Sequence, residues 1–291
     1  MKKLITKITI FLILSTSYAL TYATSINVVA AENFYGELAK EIGGKKVNVT
    51  NILANPNVDP HLFTTSPKLN KTINNAQVII YNGVGYDPWM TQLIKSSNLK
   101  TAQIINVGEL TLINDGANPH IWYNPGTMEI LAKKLATIFS KIDPASANLF
   151  KQNLKTFLDN QQVVNDTISA MKKKYKGTKV TATEPVYGYM AEALGLNMLG
   201  MDVQWKIMND TEPSPKMFAD YLELINNHKV KVIFYNSQTA ENKSKQILTV
   251  AKKNKIPIVG VTETMPKNTT IKQWFLSSLK ATDKALAKAN Q

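Results

Sequence analysis

The stretch PASANLFKQNLKTFLDNQQVVNDTISAMKKKY, residues 144–175, decides how this chain divides. Its apolar positions are Phe150, Leu154, Phe157, Val164, Ile168, Met171 and Tyr175. With Gln161 as the one polar member, the steps run 4, 3, 4, 3, 4, 3, 4. That spacing is one face of a helix. Asp143 fits an N-cap, Pro144 the first helical position and Gly177 a stop. About 30 residues at ~1.5 Å each make a rod of roughly 45–50 Å. One long helix is therefore predicted over 143–176, lying along two lobes and joining them.

On either side the chain alternates strand-like and helix-like runs. INVVAA (26–31), VNVTNIL (47–53), QVIIYNG (77–83) and AQIINV (102–107) precede the rod. TKVTATE (178–184), LNMLGM (196–201), VKVIFY (230–235) and IPIVGV (256–261) follow it. Helical patterns fill the gaps, including 32–43, 87–97, 125–141, 187–195, 214–228 and 268–289. Strands alternating with helices predict parallel sheets covered by helices. The fold class is thus α/β: two lobes, each a mostly parallel four-stranded sheet flanked by helices, joined by one long linker helix. The divisions are 1–23, 24–142, 143–176 and 177–291.

Residues 1–23 stand outside the fold. Lys2, Lys3 and Lys7 precede a short apolar run, ITIFLIL, and a small-residue end at Ala23. This is the pattern of a cleaved secretory signal, so the mature chain is expected in the periplasm as a soluble protein. Its removal takes three lysines from a net charge of +13, leaving +10. The lysines are scattered, with KKKYK (172–176) as the one run, and no aromatic-basic module accompanies them. No nucleic-acid partner is expected. The 291 residues include no cysteine, which excludes disulfides, thiolate metal sites, a cysteine nucleophile and the lipobox cysteine of acylated proteins. Arginine is also absent. Since arginine is the usual bidentate clamp for carboxylate and phosphate, organic acids and oxyanions are disfavoured as ligands.

Histidine is scarce, and its placement is uneven. Of His61, His120 and His228, two follow a proline, in DPHLF and NPHIW. His228, at a predicted helix end beside lysines, reads as a surface residue. In open parallel sheets, ligands bind beyond the carboxyl ends of strands. His61 follows the strand 47–53 and His120 the strand 102–107; Glu184 ends the strand 178–184 and Glu263 follows 256–261. Two imidazoles and two carboxylates suit a borderline divalent ion such as Zn²⁺ or Mn²⁺. Taken singly, each residue has a plainer reading: a structural histidine, a helix-terminus acid or a solvated loop acid. The residues alone leave both readings open.

Several short segments together resemble the solute-binding proteins of ATP-driven zinc and manganese importers. DPHLF followed by SP, YNGVGYDPWM, NPHIWYNP and TEPSP match that family's motifs in order, over about residues 26–287. The resemblance implies one divalent ion, Mn²⁺ or Zn²⁺ with Fe²⁺ as a further candidate, held between the lobes and passed to a membrane permease with its ATPase. It implies a monomer that captures rather than catalyses. The metal ligands it implies are His61, His120, Glu184 and Glu263. Glu263 stands where the family usually has aspartate. Asn118 stands where it usually has the aspartate before the histidine, which removes an expected acceptor for the His120 ring. An all-carboxylate second pair, and no His-rich loop before His120, lean towards manganese. The rival readings are a binding protein of similar fold for haem, siderophore or cobalamin, and a metal-dependent hydrolase. No H-E-x-x-H motif supports the latter.

Overall fold

Strand β1 (Ile26–Glu32) is buried along nearly its whole length on both faces, as expected of a central strand in a parallel sheet. The computed structural model describes residues 25–53, 63, 66–239 and 242–289. The predicted signal segment and His61 therefore lie outside the described residues. Among those described, no helix is long and apolar enough to cross a membrane.

The first sheet contains β1, β2 (Val47–Leu53), β3 (Val78–Tyr81) and β4 (Gln103–Asn106), in the order β2-β1-β3-β4. All pairs are parallel, with Val28 opposite Val49 on one side and Val78 on the other. Around it lie α1 (Asn33–Gly43), α2 (Pro67–Asn74), α3 (Pro88–Lys95), α4 (Val107–Leu110) and α5 (Pro125–Ile142). The second sheet contains β5 (Lys179–Ala182), β6 (Asn197–Met198), β7 (Ile233–Asn236) and β8 (Ile258–Val261). Its order, β6-β5-β7-β8, repeats that of the first, again all parallel. In each sheet the chain turns back across its first strand, so the crevice lies between β1 and β3, and between β5 and β7.

The linker is α6 (Ala147–Tyr175), 29 residues long. Its buried face is Phe150, Phe157, Gln161, Val164, Ile168, Met171 and Tyr175, with Leu154 partly buried. The start differs from expectation. Residues Pro144–Ser146 form a 3-10 turn, and Asp143 makes no side-chain cap bond. Proline fits this tight first turn because it needs no donor there. At the far end Gly177 takes a positive φ of 84°, which stops the helix. The linker packs on α1 and α5 of the first lobe and on α11 (Ile271–Ala289) of the second. A single apolar core runs through both lobes, with one satellite cluster on the outer side of each sheet. Aromatic rings knit the seam: Trp274 lies 5.7 Å from Phe34 and 5.4 Å from Tyr123, centroid to centroid.

The second lobe departs from the sequence reading at one place. LNMLGM yields a strand of two residues, because Gly200, at φ 72°, turns the chain into α8 (Met201–Met208). The remaining helices are α7 (Gly188–Ala193), α9 (Pro215–Asn226) and α10 (Asn242–Lys253).

Candidate metal centre

His120 follows β4 and α4 and is fully buried. Its ring is held edge-on by Trp122 and Tyr86, at 5.2 and 6.0 Å between centroids. Asn118 Oδ1 lies 2.7 Å from His120 Nδ1 and accepts from the His120 backbone N–H at 3.1 Å. The same amide donates through Nδ2 to Pro185 O at 2.8 Å, which fixes which end is oxygen. An amide oxygen only accepts, so Nδ1 carries the proton and Nε2 holds the ring's lone pair. This corrects the expectation for Asn118. The acceptor is not lost; the amide supplies it, and its other end reaches across to the second lobe. Tyr189 completes the crossing by donating to Asn118 O at 2.9 Å.

Glu184 lies two residues past the end of β5, not within it, at the start of a 3-10 turn over Pro185–Tyr187. Glu263 lies two residues past β8. Both are buried. Between β5 and β8 runs β7, whose last residue is Asn236. The topology thus places one amide between two carboxylates. Asn236 Nδ2 donates to Glu184 Oε2 at 3.2 Å and to Glu263 Oε1. Thr239 donates to Glu184 Oε1 at 2.7 Å, and Tyr86, from the first lobe, donates to Glu263 Oε2 at 2.7 Å. Burial, then the negative charge of Glu263, hold the Tyr86 hydroxyl well above its ordinary range, so it remains a donor. Gln238 Oε1 accepts from the backbone N–H of Glu263 and Thr264, at 2.6 and 3.0 Å.

The Glu263 loop is also fastened to the first lobe. Tyr123 donates to Thr262 O at 2.8 Å. Asn33 brackets Met265, donating to its carbonyl at 2.7 Å and accepting from its N–H at 2.9 Å. Three of the four expected ligands thus share one neighbourhood, through Tyr86 and the Asn118 bridge. Among the described residues, however, no three His, Asp or Glu side chains are close enough together to hold an ion. His228 is exposed, at φ 51° past the end of α9, away from this region.

Sequence reasoning missed Asn236, Gln238, Thr239 and Tyr86 as parts of the site. A signal for Asn236 was present. VIIYN (78–82) and VIFYN (232–236) differ at one position and close the third strand of each sheet, Asn82 just past β3 and Asn236 as the last residue of β7. VVAAE (28–32) and VTATE (180–184) share Val, Ala and Glu at the same spacing, with Glu32 the last residue of β1 and Glu184 two residues past β5. The two lobes therefore carry a Glu and an Asn at equivalent crevices. In the first lobe Asn82 donates to Pro119 O at 2.9 Å, beside His120, and accepts from Tyr35 at 2.7 Å. Glu32, its glutamate, is fully buried, and neither oxygen receives a hydrogen-bond donor. Asp87 lies alongside, its carboxylate accepting from Asn82 N and Gly83 N at 2.7 and 2.8 Å. Burial, then the Asp87 charge, push Glu32 well above its ordinary value, and burial pushes Asp87 up to about 6. With two backbone donors on Asp87, burial disfavours the anionic form more at Glu32 than at Asp87.

Residues 28–289 match the family model described as zinc-uptake complex component A, periplasmic. The chain belongs to this family. Its similarity to individual members is distant but extends over most of the chain. A metal ABC transporter substrate-binding lipoprotein of Streptococcus cristatus is 25% identical over 253 residues, covering 82% of this chain and 79% of the relative. A manganese ABC transporter substrate-binding lipoprotein of Streptococcus pneumoniae is 26% identical, covering 82% and 80%. The fold matches a Mn-bound mutant of a periplasmic metal-binding protein from Candidatus Liberibacter asiaticus, with a TM-score of 0.72 at 21% identity over 90% of this chain and all of that one. It also matches FpvC from Pseudomonas aeruginosa in complex with Mn²⁺, with a TM-score of 0.75 at 18% identity over 91% of this chain and all of the other.

Proposed function

We propose that this chain captures one divalent transition-metal ion, Mn²⁺ or Zn²⁺, between its lobes and hands it to the membrane permease of an ATP-driven importer. The observation that carries this reading is the gathering of Glu184 and Glu263 on one amide, across from a histidine whose tautomer puts the ring's lone pair on Nε2. His120, Glu184 and Glu263 are the proposed ligands, with His61 as the fourth. The ion is cargo, not cofactor, and the protein is not an enzyme: four protein ligands leave no position for an activated water. The carboxylate pair favours the harder Mn²⁺, while intrinsic affinity at N/O sites favours Zn²⁺; Fe²⁺ lies between them. The protein acts outside the cytoplasmic membrane as a monomer. The streptococcal relatives are named lipoproteins, but this sequence has no cysteine to carry a thioether-linked lipid. Delivery therefore proceeds from solution, by docking of the loaded form on the permease.

The test is elemental analysis of the purified protein after chelation and reloading, with H120A and E184A alongside. One ion per wild-type chain, lost in both variants, is the expected result. A wild-type chain that holds no ion, or binding indifferent to both substitutions, refutes the site.

A further inference from the structure

We infer that Asn236 is the positioning residue that sets the metal preference of the site, an inference resting on the ligand assignment above. Asn236 is itself buried. Its Oδ1 accepts from Gln238 N at 3.0 Å, so the amide cannot turn over and its two N–H groups are committed to the carboxylates. Both glutamates are bonded to the same nitrogen. Two oxygens each within about 3 Å of one atom can be no more than about 6 Å apart. One ion with oxygen ligands at ~2.0–2.2 Å needs a span of about 4 Å. The amide therefore gathers the two carboxylates to within about 2 Å of that span before any ion arrives.

The lobe repeat supports this independently. The matching residue of the first sheet, Asn82, braces the other half of the site by its bond to Pro119 O, next to His120. The matching asparagines thus both reach the site, Asn236 through the two carboxylates and Asn82 through the backbone beside His120.

Metal preference follows from which half is framed. Zn²⁺ gains much of its binding from imidazole nitrogen, whereas Mn²⁺ depends on carboxylate oxygen. Loosening the carboxylates penalises Mn²⁺ more. Asn236 is thus a determinant of selectivity as well as of affinity.

The test uses full-length mature protein stripped with a chelator, titrated with Mn²⁺ and with Zn²⁺ against a competing fluorescent chelator. The variants are Asn236→Leu, which keeps bulk and removes both donors, and Asn236→Ser, which is small enough to fold if leucine is not. Supporting partners of metal ligands are typically worth ~10–100-fold in affinity. The expected result is a loss of that size for Mn²⁺ and a clearly smaller one for Zn²⁺, shifting the Zn/Mn ratio by about fivefold or more. Unchanged affinities, or equal losses for both ions, overturn the inference and leave Asn236 a structural residue. H120A separates the two readings. If wild-type protein binds no ion, or H120A binds as well as wild type, the ligand assignment itself is wrong.

Discussion

Replacing Glu32 by glutamine should stabilise the metal-free protein, and by an amount that grows with pH. The side chain is fully buried, receives no hydrogen-bond donor and lies beside the Asp87 carboxylate. Its ordinary value is 4.5, and in the folded protein it is raised well above that. Between those values the native state binds a proton that the unfolded chain has released. Stability therefore falls as pH rises, by ~1.4 kcal/mol per pH unit, until Glu32 itself ionises. Glutamine has nearly the same shape, stays neutral and can donate to Asp87 as the protonated acid does. The Asp87 shift, common to both proteins, cancels to first order. Urea denaturation in the presence of a chelator, at several pH values between about 4.5 and 6.5, gives the comparison directly. The two proteins should be nearly equal at the acid end and diverge upwards. A gap that is constant with pH, or no gap at all, would refute a proton held on Glu32.

Three other outcomes follow from named contacts. Asn118→Ala removes both the acceptor for His120 Nδ1 and the bond to Pro185 O; metal affinity by competition titration should fall roughly 10–100-fold. Asn33→Ala removes two hydrogen bonds to the Met265 backbone and should cost about 2 kcal/mol in urea denaturation. Gln161→Leu fills the one polar position on the buried face of α6, where Gln161 Nε2 is buried without a hydrogen-bond partner. It should raise stability by about 1 kcal/mol, read as a higher melting temperature in calorimetry.

The fold was legible because its signals are long. A helix of eight turns repeats its pattern too often to be mistaken, and β1 and β2 fall where the apolar β-branched runs lie. Short elements were not legible. The segment MDVQWKIM presents only Val203, Gln204 and Ile207 to the interior, too little periodicity to separate it from the strand-like residues before it. The ligand candidates were legible because parallel topology puts functional side chains after strands, and His and Glu announce their chemistry. The supporting amides were not, since Asn236 and Gln238 look like ordinary loop residues until the strand order shows what flanks them. Asn118 shows the opposite failure. As a lost carboxylate it removes an expected acceptor, but its two-ended hydrogen bonding does what an aspartate could not, serving the ring and the opposite lobe together.

The fastening of residues 262–265 has a consequence for protein engineering. By chain order this loop belongs to the second lobe, yet Tyr123, Tyr86 and Asn33, all from the first, hold Thr262, Glu263 and Met265. A chimera that exchanges C-terminal halves at the linker would import Glu263 and leave its three holders behind. The interchangeable module is therefore not a contiguous half of the sequence. It is the C-terminal lobe together with those three distant positions, and grafts designed on that unit should keep a site that grafts cut at the linker lose.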